Sequence, residues 1–86
     1  MSAIDDIVDA IGGVIEKITE TSQATNEALQ QTDVAKETAA GLGAEGVVEG
    51  LGQVKQELET LITTLGGVSS SAEEIQATAR AVGEST

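Results

Sequence analysis

From Ala44 to Val82 an apolar residue recurs at alternating intervals of three and four without interruption: Ala44, Val47, Leu51, Val54, Leu58, Leu61, Leu65, Val68, Ala72, Ile75, Ala79 and Val82. A 3–4 alternation of this length is the pattern of a helix with a coiled-coil seam, because it keeps one stripe on one side of a 3.6-residue turn. Ala44 and every seventh residue after it are labelled a; Val47 and every seventh after it, d. The first half carries the same frame, from Ile4 (a) and Ile7 (d) through Ile11, Val14, Ile18, Thr21, Thr25, Ala28, Thr32, Ala35 and Ala39 to Leu42. With no proline in the chain, nothing breaks either helix outright.

The two frames are joined by TAAGLGAEGVVEGLGQ, residues 38 to 53, which holds five glycines. Folding the chain back near Gly43 sets each a of one helix against a d of the other, in pairs whose residue numbers add to 86. Large residues then meet small ones: Leu58 faces Ala28, Leu51 faces Ala35, and Val14 faces Ala72. The expected fold is therefore all-α: an antiparallel two-helix hairpin in a single domain of residues 1–86, with helix 3–40, turn 41–46 and helix 47–83. Gly41, Gly43 and Gly46 are the expected turn residues, supplying backbone that L side chains resist. Ser2 and Asp5 have capping-box spacing at the first helix, with Asp5, Asp6 and Asp9 near the positive end of its dipole.

A second apolar row lies at the e positions: Val8, Ile15, Leu29, Val48 and Ile62. A two-stranded a/d seam does not need it, so the row is expected to be an oligomer interface, most simply of a homodimer forming a four-helix bundle. Two glycine pairs, IGGV at 11–14 and LGGV at 65–68, occupy b and c in the same frame. A glycine inside a helix costs about 1 kcal/mol relative to alanine. Each pair marks either a local bend or a close approach by another helix.

Composition excludes several kinds of chemistry. The chain has no Cys or His, so no thiolate, imidazole or disulfide, and no base to activate its many Ser and Thr hydroxyls. The glycine-rich stretch lacks the closing Lys-Ser/Thr of a phosphate loop; Glu45 and Glu49 stand in it instead. The acidic clusters Asp5, Asp6, Asp9 and Glu73, Glu74 have neither a calcium-loop spacing nor an inward Glu-x-x-His pattern. The expectation is no enzyme, no cofactor and no metal. Fifteen acids against four bases give a net charge of −11, which repels nucleic acid and anionic membrane surfaces. The N-terminal MSAIDDIVD has acids where a secretory signal has its basic region. These features point to the cytoplasm, with export by a non-classical route as the other destination.

Two resemblances attach to these residues. SSSAEEIQATARAVGES, residues 69 to 85, is similar to the methylated helices of bacterial chemoreceptors, where Glu73 and Glu74 would match the modified pair; small-residue coiled coils converge on this composition. As a whole, the short, acidic, helix–turn–helix chain resembles the small helical hairpins of actinobacteria, including the WXG-type proteins exported by dedicated secretion machines. That likeness implies a dimeric hairpin. It carries no site residues, because the bend reads GLGAEG without the Trp-x-Gly turn, and the chain has neither Trp nor Tyr. The expected role is a non-enzymatic structural or protein-interaction module that self-associates through the apolar row. An adaptor or secreted effector presenting that row to another helical protein is the alternative.

Overall fold

The computed structural model describes residues 2 to 85. Helix α1 spans Ala3–Gly41 and helix α2 spans Glu45–Ser85, joined by a tight turn in a helical hairpin. Both helices run on through their glycine pairs. Among the described residues there is no strand, and no helix is long and apolar enough to cross a membrane.

The start of α1 follows from its sequence. The Asp5 amide donates to the Ser2 Oγ at 3.1 Å, and the Ser2 amide lies 3.5 Å from the Asp5 Oδ2. This is the reciprocal capping box expected from the spacing, and it satisfies donors that the first turn leaves unpaired.

The turn is narrower than the glycine-rich stretch suggests. The Ala44 amide donates to the Ala39 carbonyl at 2.9 Å and the Gly43 amide to the Ala40 carbonyl at 3.1 Å. That pair of bonds is a Schellman closure, with Gly43 at the left-handed position. Its φ is +72°, the one positive φ among the described residues, where a Cβ would press on the neighbouring carbonyl. Ala39 is buried and Ala44 partly so, so the apolar contact that accompanies this motif is present. Of the three expected turn glycines, Gly43 makes the turn, Gly41 is the last residue of α1, and Gly46 is already in the first turn of α2. The expected ends at 40, 47 and 83 each move by one or two residues, the ordinary uncertainty of helix ends.

The chain divides into two compact units. The end unit comprises the residues up to Thr21 together with those from Leu65 onward, and the turn unit is Ser22–Thr64. In each, a stretch of α1 lies antiparallel to a stretch of α2. In the end unit, Ile4 lies against Gly83 and Gln76 reaches the backbone of Val8. In the turn unit, Lys55 pairs with Asp33, and Lys36 lies over Gly52.

Burial shows which rows meet. Every a and every e position from Ile4 to Gly83 is at least partly buried; the other covered residues are Ala28, Gly12 and Gly52. The seam is thus a/e, not the expected a/d. In the a/e frame intervals alternate four and three, so the seam has the same period as the expected one, rotated by one row about each helix. The d residues expected inside are outside instead. Ile7, Val14, Leu42, Val47, Val54, Leu61, Val68, Ile75 and Val82 are between 41% and 80% exposed.

Candidate protein-interaction face

The five residues assigned to an outward oligomer row, Val8, Ile15, Leu29, Val48 and Ile62, are all partly buried within the hairpin. Their expected placement is corrected: they fill the intrachain seam. Sequence periodicity could not make the distinction, because a is flanked by d on one side and by e on the other at the same period, and hydrophobicity favours the nearly all-apolar d row over e, which includes Ser22, Lys36, Lys55, Ser69 and Gln76. A discriminating signal lies in two polar members of the e row, Gln76 and Lys55, which have partners across the pair. Gln76 Nε2 donates to the Val8 carbonyl at 3.0 Å. Lys55 Nζ lies 2.9 Å from Asp33 Oδ1. The hydrogen bond to Asp33, reinforced by its charge, holds the Lys55 ammonium pKa above its ordinary value.

Two glycines lie beneath long side chains of the opposite helix. A Cβ on Gly12 would sit 3.4 Å from Gln76 Nε2, and one on Gly52 would sit 3.9 Å from Lys36 Nζ. Both glycines occupy b, beside the seam, and in each unit a long e side chain from the opposite helix lies across one of them. The first glycine pair therefore has a packing reason at Gly12. At Gly13, Gly66 and Gly67 an added Cβ would meet nothing within 4 Å.

The seam also holds hydroxyls. Thr25 and Thr32 are buried at a, and the Thr32 hydroxyl donates to the Ala28 carbonyl of its own helix at 2.7 Å. Among the described residues no buried side-chain nitrogen or oxygen lacks a partner. The polar seam is satisfied locally, as a low-dielectric site requires.

The exposed d residues share one side. In an antiparallel pair that meets through a and e on both helices, the d rows of both fall on the same flank, within each unit. In the end unit this flank holds an open groove of about 520 Å³ beside Val14, lined also by Ala10, Gly13, Lys17, Ile18, Thr21 and Leu65. The neighbouring g row is nearly uncharged: Ala3, Ala10, Lys17, Ala24, Gln31 and Thr38 on α1, and Gly50, Glu57, Thr64, Ser71, Thr78 and Ser85 on α2. The other acids all fall on b, c and f, so in a chain of net charge −11 the d flank of each unit is almost neutral. Single exposed aliphatics are commonplace on protein surfaces, but an aligned row with its charge cleared away is the signature of a covered surface.

Chemistry is sparse elsewhere. Among the described residues no three acids converge closely enough to hold a metal ion. Compared with protein-family models, curated proteins and solved structures, the chain matches none of them.

Proposed function

We propose that this protein is a non-enzymatic interaction module that self-associates through the exposed d flank, two hairpins burying it between them as a four-helix bundle. The observation that carries this reading is that in each unit the exposed aliphatic d residues, five in the end unit and four in the turn unit, align on a nearly uncharged flank. With a and e already used within the hairpin, covering d would give each helix the three-row apolar face of a bundle member. A second copy fits better than a basic partner, since the acids that would attract cations lie on b, c and f.

Light scattering during size-exclusion chromatography tests the reading. At concentrations on the order of tens of micromolar the wild-type chain elutes as a dimer, because association at that level requires only a modest affinity. Leu61→Glu with Ile75→Glu, both on d, gives a monomer that keeps its helicity. A wild-type mass of one chain, 8.7 kDa, overturns the proposal. A wild-type monomer that binds a different helical protein through d would instead favour the adaptor reading.

A further inference from the structure

Building on that self-association, we infer that the second copy docks with its turn at the same end, so that α1 of each hairpin lies against α2 of the other. The d row is uneven in size. On α1 it narrows through Thr21, Ala28 and Ala35, while on α2 the residues at the same levels of the hairpin are Val68, Leu61 and Val54.

A two-fold axis parallel to the helices sets each small residue of one copy against a large residue of the other. Thr21 meets Val68 of the second copy in the end unit, and Ala28 and Ala35 meet Leu61 and Val54 of the second copy in the turn unit. These three middle layers then have similar thickness, as close packing demands. The opposite orientation stacks Thr21 on Ala28 and Val68 on Leu61, which leaves a void beside a bulge. Both errors are costly: the void forfeits contacts and the bulge forces strained rotamers.

Charge does not oppose this arrangement, since Lys17 and Glu57 are the only charged residues on the g row beside the face. Neighbouring helices run antiparallel in either orientation, so helix dipoles favour both equally and the side-chain sizes decide.

The chain has no cysteine, so a single Glu37→Cys on the exposed outward f row gives one spin label per copy. Turns at the same end place the two labels about 30 Å apart, the width of a bundle. Turns at opposite ends separate them by about 50 Å, because α1 rises 1.5 Å per residue. A distance near the shorter value is the expected result. The longer value overturns the arrangement while leaving the dimer intact; a monomer by light scattering in the same sample overturns the dimer itself. As a second measurement, mixing Ala28→Cys chains with Leu61→Cys chains should give the mixed disulfide in preference to either self-pair. Preferential self-pairing overturns the arrangement as well.

Discussion

In the end unit the large seam residues come mostly from α1: Ile4, Val8, Ile11, Ile15 and Ile18, set against Ser69, Ala72, Gln76, Ala79 and Gly83 of α2, with Leu65 the one large aliphatic on the α2 side. In the turn unit the bulk changes sides. There Val48, Leu51, Leu58 and Ile62 of α2 face an α1 stretch whose seam, apart from Leu29, is Thr25, Thr32, Lys36 and Ala39. Apart from Leu65 in the end unit and Leu29 and Lys36 in the turn unit, both units follow the same rule, bulk against small, with the helices exchanging roles. The exchange also fixes the pairing. Sliding α1 by several turns would set Ile against Leu in one place and Thr against Ala in another, so the seam is specified by size as well as by pattern. Polarity is distributed unequally too. The end unit is closed mainly by aliphatic burial, whereas the turn unit adds two lysines and two buried threonines to its seam.

The sharpest way to break this comparison is to truncate the bulky partner in each unit. Ile15→Ala in the end unit and Leu58→Ala in the turn unit should each cost about 2 kcal/mol, the low end for aliphatic truncation because both are only partly buried. Thr25→Ala, on the small side of the turn unit, should cost under about 1 kcal/mol, as a hydroxyl and one methyl are lost. Chemical denaturation at a fixed protein concentration reads all three. Equal losses would mean that bulk is not divided between the helices as described.

A smaller effect separates the glycines. Gly66→Ala places its methyl in open space and should gain about 1 kcal/mol through helix propensity. Gly12→Ala should gain less, because its methyl crowds Gln76. Gly83→Ala should gain nothing, since its Cβ would fall 2.8 Å from Ile4 Cγ2. A Gly83→Ala protein as stabilised as Gly66→Ala would show that the helix ends do not meet there.

The smallest effect concerns charge in the turn unit. The Lys55 pKa is raised in the folded chain, so its contribution is fully present below the unfolded value near 10.5 and is lost as pH rises through the folded value. Thermal melts between neutral and strongly alkaline pH should therefore decline more in the wild type than in Asp33→Asn, and salt should shrink the difference. Parallel declines would remove the ion pair as a contributor.

Much of this was legible in the residues. The unbroken 3–4 interval gave two helices, Gly43 sat at the pivot of the matched frames, and Ser2 with Asp5 announced the first cap. These are local matters, settled by periodicity, by the absence of Cβ and by side-chain reach over one turn. The candidate face was legible only as a surplus, because three apolar rows are one more than a hairpin needs.

Which row was surplus only the tertiary structure decided. Rows d and e stand on either side of a, at the same period, and hydrophobicity ranks d as the better seam. The hairpin closes on e because closure must also satisfy polar groups and allow backbones to approach. Gln76 needs the Val8 carbonyl, Lys55 needs Asp33, and Gly12 and Gly52 leave room for the long e side chains. None of these partners is near in sequence. They become neighbours only once the chain has turned at Gly43, and their pairing leaves the more aliphatic row, d, facing outward.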